Sequence, residues 1–384
     1  MTPSTHTESV ALAFSGGLDT TVCVPLLEQE YDYDEVIGVT VDVGQPDAEL
    51  AEAAETAAAL GMEHRVVDAR SAFADHCLDA VRANATYQEY PLGTALARPV
   101  VAEAVRDVAA AEGCVALAHG CTGKGNDQLR FEAVWRDGDF EVVAPVRELG
   151  LTREWETAYA ADHDLPVEGG NEGAWSIDTN LWSRSEDGYP VALDGEALDP
   201  VALVETLNEV AGAHGVGRTD TMEDRMLGLK VRENYEHPAA TTLLTAHEAL
   251  EGLVLTADER SFKRHVDQEW AETAYEGLLD APLMDALEGF IEVTQSRVTG
   301  TVTVRFEGGK ARVVGRESPY AAYAADAASF DTESVTGDIA QADATGVAKY
   351  HGFQSRLANA VTDAADEETG DPDDTTVVTD GGEQ

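Results

Sequence analysis

The sequence predicts an α/β fold, in which a parallel sheet with helices on both faces is followed by a second domain of mixed α+β structure. Short β-branched runs alternate with helical patterns through the first 168 residues, which is typical of a parallel sheet covered on both faces. The alternation of strand and helix patterns stops after Pro166, and the glycine-rich stretch 169–173 that follows indicates a domain boundary. With 384 residues, the chain is longer than one hydrophobic core usually supports. We therefore expect two folded domains, 1–168 and 169–361.

The elements of the first domain follow from apolar runs and capping residues. The apolar run 10–14 ends in a glycine turn, and a helical pattern resumes at Thr20. Asp47 can cap the next helix and Gly61 can end it. The remaining predicted strands are 36–43, 64–67, 114–118 and 141–144, and the predicted helices are 47–60, 72–83 and 99–112.

The second domain combines helices with a hairpin. Asp199-Pro200 is a favourable cap and first turn for a helix that reaches His214. Gly308-Gly309 lies between two alternating runs, 301–306 and 311–314, which predicts a β-hairpin. Further predicted helices are 239–253, 258–275 and 281–293. The last segment, 362–384, contains no aromatic residue, Lys or Arg, so we expect a disordered acidic tail.

The charge balance is strongly acidic. Asp and Glu number 73 against 25 Lys and Arg, which gives a formal net charge of −48. Such self-repulsion destabilises a compact chain in dilute buffer and is screened in molar salt. We therefore expect a cytoplasmic protein of a salt-accumulating organism; the alternative is an acidic protein of an ordinary cell. The same surface repels nucleic acid at low salt, so no nucleic-acid partner is expected.

Two further features concern location and cysteine chemistry. No stretch is long and apolar enough to span a bilayer, and residues 1–8 do not resemble a secretory signal, so we expect no membrane partner. The cysteines are scattered without a Cys-x-x-Cys pair, which argues against a zinc ribbon, a redox pair or an iron–sulfur site. No metal site built by protein ligands alone is predicted. The four cysteines are Cys23, Cys77, Cys114 and Cys121.

Residues 15–21, Ser-Gly-Gly-Leu-Asp-Thr-Thr, join the first strand to the first helix. Backbone amides and the positive end of a helix converge at such a turn, so we expect it to bind an anion. The hydroxyls of Ser15, Thr20 and Thr21 add donors, and Asp19 offers a carboxylate to Mg²⁺ or a bound water. The spacing is neither that of a kinase P-loop nor the Gly-x-Gly-x-x-Gly of a dinucleotide site. The alternative is that the glycines only make a tight turn.

A second polar cluster follows the predicted strand 114–118. Residues 118–132 read Ala-His-Gly-Cys-Thr-Gly-Lys-Gly-Asn-Asp-Gln-Leu-Arg-Phe-Glu, which brings amide, carboxylate, hydroxyl, ammonium and guanidinium groups into a few positions. Such groups at the carboxyl end of a parallel strand are typical of a ligand site. The alternative is a surface loop with a basic residue at each end.

Both stretches resemble known families. Residues 15–19 resemble the pyrophosphate-binding loop of the N-type ATP pyrophosphatases, and residues 118–132 resemble the signature of the argininosuccinate synthases. The similarity extends from Val10 to about Leu357. It includes the stretches 40–45, 90–99, 175–182, 214–218, 223–235 and 296–300.

The resemblance implies a ligase that forms a carbon–nitrogen bond in arginine biosynthesis. ATP, citrulline and aspartate would give argininosuccinate, AMP and pyrophosphate through a citrullyl-adenylate, with Mg²⁺ accompanying ATP and no protein nucleophile. It also implies that 1–168 is an ATP pyrophosphatase-type nucleotide-binding domain, that 169–361 is a synthetase and multimerisation domain, and that the chain forms a homotetramer.

The family pattern assigns residues of this chain to each substrate. The expected ATP contacts are Ala13, Phe14, Ser15, Gly16, Gly17, Leu18, Asp19, Thr20, Thr21, Val41 and Gly120. The expected aspartate contacts are Thr122, Asn126 and Asp127. The expected citrulline contacts are Tyr90, Asn126, Arg130, Ser176, Ser185, Glu223 and Tyr235. Asp19 and Asp127 are the candidate catalytic residues. The alternatives are core packing for the tyrosines, turns for the serines and a helix surface for Glu223.

The sequence departs from the family pattern in a few places. Ala95 stands where Ser is common, so one citrulline contact is missing or is replaced by Thr94. Asp224 stands where Asn is usual, and the stretch 232–235 lacks the usual glycine. The stretch 182–191 is shorter than in many relatives, which affects the alignment of Ser185. These differences bear on substrate affinity.

Two other functions are compatible with parts of the sequence. The first is another adenylating enzyme of the superfamily. A tRNA-thiolating ligase usually needs paired cysteines and a basic RNA-binding surface, and a glutamine-dependent synthetase needs a nucleophilic cysteine or an extra domain. Neither set of features is present in this sequence. A catalytically silent binding or scaffold protein is the other alternative, and a pyrophosphate-release assay distinguishes it from an enzyme.

Overall fold

The structure is a computed structural model that describes residues 8–136, 138–167, 180–182, 198–324, 334–336 and 339–368. The chain divides into two compact units, Met1–Ala322 and Tyr323–Gln384. The boundary predicted near residue 168 falls in a gap between the described ranges, and the first unit contains both sides of it. The division into 1–168 and 169–361 therefore stays a prediction.

The first unit is built around a five-stranded sheet in which all neighbouring strands are parallel, as predicted. The strands are β1 (Ser9–Ala13), β2 (Glu35–Asp42), β3 (Glu63–Asp68), β4 (Ala116–His119) and β5 (Glu141–Val143), in the spatial order β3-β2-β1-β4-β5. The chain order reverses at the pair β1 and β4, and a crevice opens at the carboxyl ends of strands at such a point.

Helices cover both faces of the sheet. They are α1 (Leu18–Gln29), α2 (Asp47–Leu60), α3 (Arg70–Arg82), α4 (Gly93–Glu112), α5 (Asp127–Trp135), α6 (Pro145–Glu148) and α7 (Arg153–Asp162). Along β1, Val10 and Leu12 face a core shared with α1 and α2, while Ala11 and Ala13 face a core shared with α3 and α4. This alternation explains why every residue of β1 is buried.

Helix α4 begins earlier than the sequence predicts. The expected start was residue 99, but the helix starts at Gly93 and Pro99 lies in its interior. A proline there removes one backbone hydrogen bond, and helices usually end before it. Residues on both sides of Pro99, such as Leu96 and Val100, are buried in the core against the sheet. This packing offsets the missing bond and keeps the helix continuous.

The remainder of the first unit combines helices with two antiparallel hairpins. The helices are α8 (Pro200–Ala213), α9 (Pro238–Val254), α10 (Ala257–Tyr275) and α11 (Pro282–Gln295). The strands are β6 (Arg218–Asp224), β7 (Lys230–Glu236), β8 (Thr301–Glu307) and β9 (Lys310–Glu317), paired as β6–β7 and β8–β9. The second hairpin was predicted, and the first was not. Residues of α8 to α11 share one core with α3 and α4.

The segment 180–182 connects several parts of this unit. The Leu181 amide donates to the Val43 carbonyl at 2.8 Å, just beyond β2, and Asn208 of α8 donates to the Leu181 carbonyl at 2.7 Å. The Trp182 indole is completely buried and donates to the Pro91 carbonyl at 2.6 Å.

The second unit contains β10 (Ser334–Thr336), β11 (Ile339–Ala340), α12 (Ala344–Tyr350) and α13 (Phe353–Glu368). Helix α13 continues to Glu368, into the segment 362–384 that was predicted to be disordered. Residues 369–384 lie outside the described residues, so the disorder expected for this segment stays a prediction. Among the described helices, none is long and apolar enough to cross a membrane.

A buried polar network joins the end of α3 to α9 and α10. The Lys263 ammonium is 1% exposed and contacts Asp267 at 2.6 Å, Glu251 at 3.1 Å and the Arg82 carbonyl at 2.8 Å. Asn84 donates to the other oxygens of both carboxylates, at 2.9 and 3.1 Å. Burial raises the pKa of Asp267 to about 6, and Lys263 opposes that effect. Lys263 is therefore the cation that offsets the cost of burying the carboxylates of Glu251 and Asp267.

Replacing Lys263 tests this role. Lys263→Met keeps the apolar stem but leaves Glu251 and Asp267 without their shared cation, so we expect the free energy of unfolding to fall by about 3 kcal/mol. Urea denaturation in molar KCl, followed by circular dichroism, measures the change. Lys310→Met, at an exposed position of the β8–β9 hairpin, is the matched control and should be nearly neutral. Equal effects of the two substitutions would contradict the assignment.

Candidate active site

The glycine loop after β1 leaves the beginning of α1 open to a ligand. Gly16 has a φ of +77°, and a Cβ placed on it would lie 2.7 Å from the Cα of Ala53 in α2, so only glycine fits. Gly17 is the N-cap residue of α1, and no side chain among the described residues caps that helix. Amides of the first turn are therefore available to an anion.

Hydroxyl groups surround the same turn. The oxygens of Ser15 and Thr20 lie 3.3 Å apart, and Thr20 also donates to the Gly17 carbonyl at 3.2 Å. Thr21 is buried and donates to the Gly16 carbonyl at 3.2 Å, which holds the loop in shape. Asp19 is partly buried in the first turn; burial raises the pKa of its carboxyl, and Arg153 opposes the shift. The turn therefore presents hydroxyls and one carboxyl beside free amides.

The end of β4 is pressed against this turn. A Cβ placed on Gly120 would lie 3.2 Å from both the backbone nitrogen and the Cγ2 of Thr20. A larger residue would push the two loops apart. Gly120 therefore joins the glycine loop to the second polar cluster, as expected for two strand ends at a reversal of strand order.

The other predicted ATP contacts lie at the same sheet edge. Ala13 and Phe14 are buried at the end of β1, and the Phe14 carbonyl accepts from the Thr40 hydroxyl at 2.7 Å. Val41 is buried near the end of β2. Leu18 begins α1 and is partly buried.

Helix α5 carries the predicted aspartate contacts at its beginning. Asn126 is its N-cap residue, and Asp127 lies in the first turn between Arg98 at 2.8 Å and Arg130 at 2.9 Å. Burial disfavours the charge of Asp127, but the two guanidinium groups hold the pKa of its carboxyl below the usual value. Thr122 lies exposed in the preceding turn. Asp127 is thus a fixed carboxylate beside two cations.

A chain of hydrogen bonds connects the described citrulline candidates. The Glu223 carboxylate accepts from the Tyr235 hydroxyl at 2.6 Å and from the Tyr275 hydroxyl at 2.5 Å. The Asn126 amide donates to the Tyr275 oxygen at 2.8 Å. Tyr90 stacks on Tyr235 with ring centroids 4.4 Å apart. Burial raises the pKa of Tyr90 to about 12, so its hydroxyl is neutral.

The unpredicted hairpin β6–β7 positions two of these residues. Tyr235 pairs with Thr219, four residues before Glu223 on β6, so Tyr235 and Glu223 lie on the same face of the hairpin. Charged residues on both faces of the hairpin hide its alternating pattern, so the sequence alone did not reveal the strands that carry Glu223 and Tyr235.

Two residues of this site were not among the candidates. Tyr275 contacts Glu223, Asn126 and Arg130, and Arg98 binds Asp127. Arg98 lies within the stretch 90–99 that resembles the family, whereas Tyr275 had no signal beyond its place at the end of the predicted helix 258–275. Ser176 and Ser185 lie outside the described residues.

Two models of known protein families match this chain. A family model described as "Arginosuccinate synthase N-terminal HUP domain" matches residues 9–166, and one described as "Arginosuccinate synthase C-terminal domain" matches residues 185–358. The chain belongs to the argininosuccinate synthase family. The N-terminal match contains Tyr90, Asn126 and Arg130, and the C-terminal match contains Glu223 and Tyr235. Both parts of the family's sequence therefore contribute to the described site.

Individual members of the family are similar over nearly their whole length. An argininosuccinate synthase of Natronomonas pharaonis is 69% identical over 94% of this chain and 98% of its own. One of Halobacterium salinarum is 68% identical over 92% of this chain and 98% of its own, and one of Methanococcoides burtonii is 50% identical over 91% and 98%. The first two come from halophilic archaea, which supports the interpretation of the acidic composition as an adaptation to salt.

One buried acid of this argininosuccinate synthase family member lies on α7, close enough to Asp19 for the two charges to interact. Glu156 of α7 is 2% exposed, and its Oε1 has no hydrogen-bond partner among the described residues. Burial and the nearby Asp19 raise the pKa of Glu156 to about 7, with Arg153 opposing. Glu156 therefore holds a proton in the folded protein to a higher pH than in the unfolded chain.

The pH dependence of stability tests this environment. Because the folded-state pKa of Glu156, about 7, exceeds the unfolded value of 4.5, the contribution of Glu156 to the free energy of unfolding falls as pH rises between these values and is level above them. Glu156→Gln removes the ionisation, so we expect it to raise the free energy of unfolding by roughly 2 kcal/mol at about pH 8 and by less at about pH 5. Urea denaturation in molar KCl measures the free energy of unfolding of the wild type and the variant at the two pH values.

Glu154→Gln is the matched control, because Glu154 is exposed on the same helix. Its effect should not change with pH. A gain from Glu156→Gln that is identical at both pH values would contradict the environment described for Glu156.

Proposed function

We propose that this chain catalyses the ATP-dependent condensation of citrulline and aspartate to argininosuccinate, releasing AMP and pyrophosphate, in arginine biosynthesis. The observation that supports this proposal is that two features lie at the carboxyl ends of the parallel strands. One is the uncapped N-terminus of α1, and the other is the cluster of carboxylate, tyrosine and guanidinium groups connected to Asn126. Membership of the argininosuccinate synthase family supports the choice of substrates.

The first step needs no protein nucleophile. The ureido oxygen of citrulline attacks the α-phosphorus of ATP, a P–O bond forms, and the bond from the α-phosphorus to the bridging oxygen breaks to release pyrophosphate. Residues 13–21, Val41 and Gly120 are the proposed ATP contacts. Amides of the first turn of α1, with the hydroxyls of Ser15, Thr20 and Thr21, stabilise the charge that develops on the departing pyrophosphate.

We propose that Mg²⁺ accompanies ATP and is bound by Asp19. Among the described residues, no group of three or more His, Cys, Asp and Glu side chains is arranged to hold a metal ion. Mg²⁺ is commonly held by one or two carboxylates together with phosphate oxygens and waters, and the carboxyl of Asp19 in the first turn of α1 fits that need. When bound, the ion neutralises phosphate charge.

In the second step, the aspartate ammonium first loses a proton to solvent; the resulting amine attacks the ureido carbon of the adenylate, a C–N bond forms, and AMP leaves with the former ureido oxygen. Thr122, Asn126 and Asp127 are the proposed aspartate contacts, and the ionised Asp127 suits a bound ammonium group. Tyr90, Asn126, Arg130, Ser176, Ser185, Glu223 and Tyr235 are the proposed citrulline contacts. A carboxylate, a guanidinium and hydroxyls together suit a zwitterionic amino acid. Catalysis then depends on alignment of three substrates.

The proposed setting is the cytoplasm. Cys23, Cys77 and Cys114 are buried thiols outside any disulfide, which agrees with a reducing compartment. The net charge of −48 disfavours nucleic acid as a partner.

Pyrophosphate release by the purified protein in molar KCl tests the function. We expect repeated turnover to AMP and pyrophosphate only when ATP, citrulline and aspartate are all present, and argininosuccinate to appear in equal amount. A catalytically silent protein gives no turnover. Formation of ADP, or of AMP at the same rate without citrulline, would overturn the proposal.

A pair of glycine variants tests the role of the loop in the same assay. Gly16→Ala forces a side chain onto a left-handed residue and against Ala53, so we expect kcat to fall at least about a hundredfold. Gly61→Ala is the matched control: Gly61 has a similar φ of +71° but no atom within 4 Å of the added Cβ. The control should lose stability and keep its kcat. Equal losses of kcat would argue against a specific role of the loop.

We also propose that the chain assembles as a homotetramer through its C-terminal helix. Helix α13 exposes Phe353, Leu357 and Val361 along one side, and Tyr350 at the end of α12 is 76% exposed. Phe353, Leu357 and Val361 are spaced four residues apart and so form one apolar stripe along α13. Soluble proteins usually bury such a stripe in an interface.

Light scattering in molar KCl tests the assembly. Leu357→Asp places a charge in the stripe, so we expect the mass to fall from that of four chains to that of a smaller species. Asn359→Asp, exposed on the same helix but outside the stripe, is the matched control and should leave the mass unchanged. An unchanged mass for Leu357→Asp would exclude the stripe as the interface.

A further inference from the structure

Tyr275 is held firmly at the centre of the site. It ends α10, is 2% exposed, and stacks on Tyr87 with centroids 3.8 Å apart. The guanidinium carbon of Arg130 lies 5.0 Å from its ring centroid, and the Nε of Arg130 donates to its backbone carbonyl at 3.1 Å. The ring therefore has one position, and its hydroxyl oxygen is fixed between Glu223 and Asn126.

The direction of each hydrogen bond at this hydroxyl is determined by chemistry. A phenol has one proton, and the Tyr275 hydroxyl donates it to the Oε1 of Glu223, 2.5 Å away. The Tyr275 oxygen then has only lone pairs for its other neighbour. The Tyr275 oxygen therefore accepts a hydrogen bond from the Nδ2 of Asn126, at 2.8 Å. The carbonyl oxygen of that amide could not take this place, because it has no proton to donate.

The opposite end of the Asn126 amide is consequently left for a ligand. Its Oδ1 is buried and has no hydrogen-bond partner among the described residues, and Asn126 is only 6% exposed. A buried acceptor without a partner costs about 1–3 kcal/mol, so such an atom is normally filled by a donor when the site is occupied. The partners of this amide, Tyr275 and through it Glu223 and Tyr235, belong to the proposed citrulline cluster.

We propose that Tyr275 is a positioning residue that orients the Asn126 amide, so that its Oδ1 accepts an N–H of the citrulline ureido group. The inference rests on the proposed function. The relay runs from the Glu223 carboxylate through the Tyr275 hydroxyl to Asn126, and it holds a fixed acceptor where the ureido nitrogen is to bind. Without the hydroxyl, the amide is free to rotate by half a turn and to present its NH₂ group, which repels an N–H donor.

Tyr275→Phe tests the relay, because it keeps the stacking on Tyr87 and the contact with Arg130. We expect the KM for citrulline and its equilibrium Kd to rise about tenfold, in line with one lost hydrogen bond to a buried acceptor. The kcat at saturating citrulline and the KM for ATP should stay within about twofold. Tyr31→Phe is the matched control, because Tyr31 also donates to a glutamate, Glu148 at 2.9 Å, in another part of the unit.

A double variant distinguishes positioning from general packing. If Tyr275 acts through Asn126, then Tyr275→Phe in an Asn126→Ala background should change the citrulline Kd by less than about twofold, although the same substitution costs about tenfold in the wild-type background. Calorimetric binding of citrulline is the readout, so that a loss of turnover in Asn126→Ala does not hide the result.

The outcomes separate this inference from the proposed function. If the wild-type protein shows no turnover that depends on citrulline, the function fails. If the wild type is active but Tyr275→Phe behaves like Tyr31→Phe, affects ATP as strongly as citrulline, or costs the same in both backgrounds, then the relay is wrong and the function stands.

Discussion

The close contact between the first turn of α1 and the end of β4 is the constraint on which the rest of the site depends. This contact requires Gly120 against Thr20, and the glycine loop in turn requires Gly16 in a left-handed conformation against Ala53 of α2, because a side chain at either position would occupy space that neighbouring atoms already fill. Once the two loops are fixed, the start of α5 follows a few residues later. Asn126 and Asp127 are thereby carried to the same sheet edge as the uncapped amides of α1.

Much of the fold could be predicted because its cause is local. The apolar run of β1, the glycine turn after it and the alternation of strands with helices each follow from neighbouring residues, and the parallel sheet is confirmed. The features that were missed depend on tertiary contacts. Pro99 lies inside α4 because its neighbours are buried, and the hairpin β6–β7 has no clean alternation. Local propensity alone cannot reveal either case.

The same distinction applies to the site. Residues within a continuous motif, such as Asn126, Asp127 and Arg130, could be nominated from the sequence, and the structure places them in one turn of α5. Tyr275 could not, because its importance comes from bonds to residues far away in the chain, Asn126 and Glu223. A lone tyrosine at a helix end has the same appearance whether it packs in a core or orients an amide.

The anchoring of residues 180–182 has a consequence for how occupancy of the site can be observed. The Trp182 indole is fully buried and bonded to the Pro91 carbonyl, next to Tyr90, while its neighbour Leu181 is bonded to Val43, just beyond the strand that carries Val41. A small shift of either loop changes the surroundings of one indole ring. Trp182 thus links the loop that carries Tyr90 to the segment bonded at the end of β2, and a substitution of this one among the five tryptophans would show how much of any change in emission on substrate binding comes from that link.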